Sequence, residues 1–233
     1  MKKLIIPALF AMMLAACSNG GGNSPTPGPK KGKLDIDEAT ARKNLDDLAT
    51  SQSFLASFKV SNIETGTNIH KFGAKKDYFY RYLESENDHF VSIDRIGVLT
   101  VNESENVVYR DYDKNQESGV YEFHTEVSSV EAPKYFEDSK KMSNSYLFLA
   151  HVLDANKEYV KSSEEATIAG RTAVIYDRDT ETSHERYWVD KTLGITLKNC
   201  EYASAERTQA TLTVMEVTSF VTGAETNLPE IPA

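Results

Sequence analysis

From Leu34 onward the spacing of apolar positions changes three times. Ile36, Ala41, Leu45 and Leu48 follow one another at three to five residues, which places them on one stripe of a helix. Asp35 or Asp37 stands where a capping carboxylate would accept the first free backbone N–H groups. Leu55 and Phe58 carry the spacing past a polar break at 50–53. From Phe58 the period falls to two. Segments 58–60, 78–83, 90–93, 98–101, 107–112 and 120–127 are short and rich in β-branched and aromatic residues, with polar stretches at 64–68, 84–88, 102–106 and 113–119 between them. That pattern predicts an antiparallel meander. In segment 78–83, alternation puts Tyr78, Tyr80 and Tyr82 on one face and Phe79 and Leu83 on the other. Met142, Tyr146, Leu149 and Leu153 return to helical spacing, so a helix is predicted over 139–155. Strand patterns resume at 172–176, 185–189, 195–197 and 211–220. Pro229 and Pro232 mark 223–233 as a flexible tail. Helix, meander, helix, meander is an α+β order, expected as a single domain over 34–222.

The N-terminus has a different pattern. Lys2 and Lys3 precede an unbroken apolar run over 4–16, and Cys17 follows. Charge followed by a short apolar core is the order of a secretory signal peptide. The run is shorter than the ~20 residues that a membrane span needs. Its end, Leu14-Ala15-Ala16-Cys17, resembles the lipobox of bacterial lipoprotein signals. The resemblance implies cleavage before Cys17 and a diacylglycerol on its sulfur. It thus implies a protein held on the outer side of a membrane: the outer membrane where the host has one, otherwise the outer face of the cell membrane. Two acyl chains suffice for a stable anchor where one does not. Residues 17–33 contain no core-forming side chain and three prolines, so they read as a tether that reaches ~20–25 Å.

Charge narrows the partners. The chain has 26 basic and 35 acidic residues, but five lysines (Lys2, Lys3, Lys30, Lys31, Lys33) and no acids precede Leu34. From Leu34 on, 26 less 5 leaves 21 basic against 35 acidic residues, a formal −14. A surface of that sign repels phosphate backbones, so nucleic acid is not an expected partner. With Cys17 acylated, Cys200 has no partner for an intramolecular disulfide. Its strand-like neighbourhood, Leu197-Lys198-Asn199-Cys200-Glu201-Tyr202, makes it a half-buried strand residue and not a nucleophile.

The later half carries a second resemblance. Ile168-Ala169-Gly170-Arg171-Thr172-Ala173-Val174-Ile175-Tyr176 is followed by Tyr187-Trp188-Val189-Asp190-Lys191-Thr192-Leu193-Gly194-Ile195-Thr196-Leu197-Lys198, and a late strand over 212–220 comes after. This strand, aromatic–Asp, glycine turn and strand is similar to the corresponding part of the outer-membrane lipoprotein carriers of the LolA and LolB type. The resemblance implies a curved antiparallel sheet, a half-barrel, covered by the N-terminal helix and the inserted helix. It also implies a cavity for a lipid or other apolar ligand between sheet and helix. Tyr80, Tyr82, Met142, Tyr146, Leu149 and Trp188 are the residues expected to line it. The soluble carriers have no lipid anchor, and no residue here matches their gate or acceptor loop, so a transfer role is not implied.

Signatures of nucleophilic, phosphate-binding and metal chemistry are missing from the sequence: Gly-x-Ser-x-Gly, a phosphate-cradling loop, His-Glu-x-x-His and Cys-x-x-Cys. His70, His89, His124, His151 and His184 are scattered. No cofactor, metal or enzymatic activity is therefore expected. Asp111, Asp113, Asn115 and Glu122 fall at positions one, three, five and twelve of a calcium-hand loop. Position six is Gln116 where the sharp turn needs glycine, and position eight is Ser118. A polar hairpin turn is the expected reading. Two functions stay open: a tethered binder of an apolar ligand, and an extracytoplasmic protein-interaction module with a filled core. Cys17→Ser should abolish incorporation of a labelled acyl chain and release the protein from the membrane fraction. A variant that stays labelled and anchored would contradict the lipobox reading.

Overall fold

The structure, a computed structural model, describes residues 31–62, 64–148, 158–180, 183–202 and 211–232. The leader, Cys17, Leu149 and Leu153 lie outside the described residues. Two helices, α1 (Glu38–Ser51) and α2 (Ala132–Ser143), accompany strands β1 (Lys31–Gly32), β2 (Phe54–Asn62), β3 (Gly66–Lys75), β4 (Tyr78–Ser85), β5 (Phe90–Val101), β6 (Val107–Lys114), β7 (Tyr121–Ser128), β8 (Tyr159–Ile168), β9 (Arg171–Asp179), β10 (His184–Asp190), β11 (Thr196–Tyr202) and β12 (Thr211–Thr222). All strands join one sheet in the order β1-β8-β9-β10-β11-β12-β2-β3-β4-β5-β6-β7, and every pairing is antiparallel. Each meander is sequential. The two are joined where the last strand, β12, lies beside the first long one, β2, from Thr213↔Asn62 to Thr222↔Phe54. The sheet is open and curved, an α+β half-barrel. Bulges at Trp188/Val189, Val217/Ser219 and Asp111/Tyr112 supply local bending.

Helix α1 forms as its sequence prescribes. Asp37 caps it by accepting from the Thr40 N–H at 2.7 Å, and Ala41, Leu45 and Ala49 bury one stripe at intervals of four. Together with α2 it covers one face of the sheet. There Phe54, Ala56 and Phe58 of β2, Phe72 and Ala74 of β3 and Phe79 of β4 meet Phe136, Leu147 and Phe148 in one buried cluster. Each aromatic side chain buried this way contributes about 1.5–3 kcal/mol.

The inserted helix differs from the predicted one. It begins at Ala132, with Pro133 in its first turn, and ends at Ser143. A 3₁₀ turn over Ser145–Phe148 follows. Its buried stripe is Phe136, Lys140 and Ser143, so Met142 points outward and is 70% exposed. The chain breaks at Asn144, whose N–H closes the last turn on the Lys140 carbonyl while its own carbonyl starts the 3₁₀ turn at Leu147. That break rotates the later residues, which brings Leu147 and Phe148 inward, while Met142 of the predicted stripe faces solvent. Lys140 lies in the seam between the helices and bonds Asp46 of α1 at 3.0 Å and Glu137 at 2.9 Å.

Both ends of the domain also differ from expectation. Gly32 and Lys31, read as tether, pair with Tyr159 and Val160 of β8. The segment after β12, read as a loose tail, is docked. The Gly223 N–H donates to the Ser53 carbonyl at 2.7 Å, and the Tyr78 hydroxyl donates to the Pro229 carbonyl at 2.8 Å. Leu228 sits against Gly73, where any Cβ would stand 2.3 Å from its methyl carbon. The stretch 111–122 is a β6–β7 hairpin. Asn115 Oδ1 accepts from the Glu117 and Ser118 N–H groups, and Gly119 supplies the positive φ of 71°.

Gly97 on β5 lies directly beneath the Phe79 ring, so a Cβ there would stand 2.3 Å from two ring carbons. Gly97→Ala should cost about 1–3 kcal/mol through forced displacement of that ring, measured by urea denaturation. Phe79→Leu should relieve part of the penalty. An unchanged midpoint for Gly97→Ala alone would contradict this packing.

Candidate binding surfaces

The two faces of the sheet offer different chemistry. On the helix-covered face, Phe58 stacks on His70 at 5.0 Å between centroids, and Tyr146 tilts over His70 at 4.8 Å. The ring of His70 is buried, and burial, with the nearby Arg81 guanidinium as second cause, lowers its pKa to about 4. Tyr146 remains 37% exposed at the margin of this cluster. The cluster continues through Phe72, Phe79, Phe136 and Phe148, which are all but fully buried. Where the inserted helix was expected to span a ligand space, aromatic side chains fill the face among the described residues.

The opposite face of β4–β6 carries Tyr78, Tyr80, Ile96, Val98 and Tyr112, with Leu55, Tyr82, Tyr121 and Leu228 packed around them. Alternation along β4 sets this up, since Phe79 faces the helices while Tyr78 and Tyr80 face away. Asp94 is buried here. It accepts from the Tyr121 hydroxyl, and the Lys114 ammonium stands 3.6 Å away. Burial first, then Asp94, pushes the Tyr78 and Tyr80 hydroxyls far above the ordinary tyrosine value. Tyr82 is pushed up to about 12, by burial and then by Glu84, to which its hydroxyl donates at 2.7 Å. Where this face meets the end of α1 and the docked C-terminal segment there is a cavity of about 560 Å³. Tyr78, Val98, Leu99, Tyr112 and Ile231 supply its apolar wall.

The residues expected to line one site are therefore divided. Tyr80 and Tyr82 belong to the outer face; Met142 and Tyr146 belong to the helical side, Met142 in solvent; Leu149 lies outside the described residues. Trp188 on β10 is half-buried against the margin of the main core, with Lys198 and Arg186 over its ring at 5.5 and 6.0 Å. Its neighbour Tyr187 is the fully buried residue, in a separate cluster with Tyr159 and Tyr176. The 3₁₀ turn does lie against β11, the strand beside Trp188's. The outer cavity was not foreseen, because nothing in a local pattern places the C-terminal segment over β4.

One polar constellation has the parts of a catalytic site. Buried His184 lies between Asp179, 2.6 Å from Nδ1, and Asp177, 3.2 Å from Nε2, while Arg186 grips Asp177 at 2.6 and 3.0 Å. Beside it, Arg178 bonds Glu185 at 3.0 Å, and Glu185 accepts from the Tyr187 hydroxyl at 2.8 Å. Both ring nitrogens of His184 are engaged by carboxylates. Cys200 on β11 is buried, and burial pushes its thiol up, away from the thiolate a nucleophile needs. No group of three His, Cys, Asp or Glu residues among the described residues is placed to hold a metal ion. No described helix is long and apolar enough to cross a membrane.

No protein-family model matches the chain, and no curated protein matches it. Solved structures matched at low TM-scores include MucB in complex with MucA(peri), at 17% identity and TM-score 0.35, covering 82% of this chain and 57% of MucB. A DUF1329 family protein from Desulfovibrio piger matches at 12% identity and TM-score 0.29, over 84% of this chain and 96% of that one. A LolA superfamily protein from Nitrosomonas europaea matches at 8% identity and TM-score 0.21, over 84% and 96%. This chain thus spans little more than half the length of MucB.

The neutral His70 gives the domain a pH dependence of known sign. Its folded pKa, about 4, lies below the ordinary 6.5, so the unfolded chain takes up the proton first. The stability it supports is complete above pH ~6.5 and is lost as pH falls toward 4. Thermal denaturation across that interval should show the loss, and His70→Gln should flatten it. An equally steep fall in His70→Gln would assign the effect to other groups.

Proposed function

We propose that this chain is an exported lipoprotein, acylated on Cys17, that works as an extracytoplasmic protein-interaction module and has no catalytic activity of its own. The observation that carries this reading is the open edge at β7. That strand ends the sheet, pairs with β6 alone among the described residues, and displays Phe123, 59% exposed, beside the exposed Val120. An exposed edge with apolar side chains is a template for a partner's strand, with backbone hydrogen bonds supplying affinity and alternate side chains supplying selectivity. Glu122 and Glu126 on the same strand disfavour a second copy, since antiparallel self-pairing would bring like charges together. The acidic surface and the two-chain anchor suit a module that stands off a membrane without binding its anionic head groups.

The apolar-ligand reading has less support on the helix-covered face, where the described residues Phe58, Phe136, Leu147 and Phe148 pack in one buried cluster. Its support is the cavity on the other face. Native mass spectrometry of the acylated protein from its own host membranes separates the two readings. The expected result is a complex with a second protein, weakened roughly tenfold by Phe123→Glu, as truncating an interface anchor does, with the melting temperature unchanged. A stoichiometric apolar adduct that disappears in Tyr146→Trp would place a ligand on the helix-covered face and overturn the proposal.

A further inference from the structure

We infer that the outer-face cavity beneath the C-terminal segment is a binding site for a single-chain amphiphile with an anionic head. Its volume of about 560 Å³ falls within the ~300–1,000 Å³ of small-molecule sites. The floor is apolar and preformed: Tyr78, Val98 and Tyr112 are buried, held side by side by the β4–β5–β6 register. The rim is cationic. Lys75, Lys76 and Arg110 line the mouth with Asp77 as the only lining acid, on a domain whose formal charge is strongly negative. A local reversal of sign draws an anion toward the opening that the rest of the surface repels.

The three cations are not equivalent. Arg110 donates to Glu126 at 2.6 Å, and Lys76 stands 3.9 Å from Asp77. Lys75 has its ammonium over the Tyr78 ring at 5.0 Å, and no salt bridge ties it to a carboxylate among the described residues. It is placed to receive the head group while an acyl chain runs along the tyrosine floor. The C-terminal segment forms the roof. Tyr78, a floor residue, holds that roof through its hydroxyl bond to the Pro229 carbonyl, and Ile231 and Pro232 close the mouth.

The site borders β7 through Arg110–Glu126 and Tyr112–Phe123, but no β7 residue lines it, and its tests change none, so failure of either proposal is told from failure of the other. The probe is dodecanoate, titrated by calorimetry into the full chain carrying Cys17→Ser, with dodecyltrimethylammonium as the cationic counterpart. One dodecanoate per chain is expected, with weaker binding of the cation. Lys75→Gln should weaken dodecanoate about fivefold, the most that a single exposed ion pair contributes. Thr100→Trp, which fills the cavity from its β5 wall, should abolish binding, and Ile231→Glu on the exposed roof should weaken it without disturbing the core. The site is refuted by no binding of dodecanoate, by equal binding of the cation, or by binding that survives Ile231→Glu and a folded Thr100→Trp unchanged.

Discussion

The pairing of β12 with β2 is the constraint on which the rest of the molecule depends. Each meander can form from sequence-local hairpins, but only this seam makes them one sheet. It joins residues about 150 positions apart, as in Val214↔Ser61. It places Met215 and Val217 beside Phe58 and Val60, so that one core cluster runs across both halves. The bond from the Gly223 N–H to the Ser53 carbonyl closes its lower end and aims the following segment across the outer face. Without the seam, two meanders would expose additional edges and neither helix would have a complete surface to cover. Long-range pairing of this kind carries a closure entropy that only the completed core offsets, which makes it the slow step expected of folding.

Once the seam is made, the division of labour between faces follows from alternation. Phe54, Phe72 and Phe79 go to the helices and are sealed; Tyr78, Tyr80 and Tyr112 go to the other side, where a short docked segment is their only described cover. The short docked segment covers the tyrosine face only in part, and a cavity stays open beside Tyr78 and Val98. The tyrosines suit that half-covered position because each combines an apolar ring with a hydroxyl that finds a partner, as Tyr78 does in Pro229 and Tyr121 in Asp94.

How far this was legible in the sequence can be judged element by element. The stripe and cap of α1, the period-two segments and the split of Tyr78, Tyr80 and Tyr82 from Phe79 all express local spacing, and local spacing survives folding. The hairpin at Asn115 to Gly119 was legible for the same reason. The inserted helix was misplaced because the spacing of Met142 and Tyr146 matches a helical period although the chain breaks between them at Asn144. The physical start signal, Pro133 in a first turn, lay six residues before the predicted start. The docked tail and the outer cavity were not legible, since both depend on where β12 delivers the chain, and no local pattern encodes which distant strands pair. The proposed lining set failed to converge for that reason: it mixed residues from two faces that only the tertiary register tells apart.

The volume beside Tyr78, Val98 and Ile231 on the outer face is open and apolar, whereas the described side chains of the helix-covered cluster, Leu45, Leu147 and Val217 among them, are buried against one another. Xenon tests this directly, because it enters dry apolar cavities and shifts the methyl resonances that line them. Methyl spectra recorded under xenon pressure should show shifts at Val98 and Ile231 while Leu45, Leu147 and Val217 stay unmoved. Concentration-dependent shifts at Leu147 and Val217, with none at Val98, would place the cavity between helices and sheet and contradict the account.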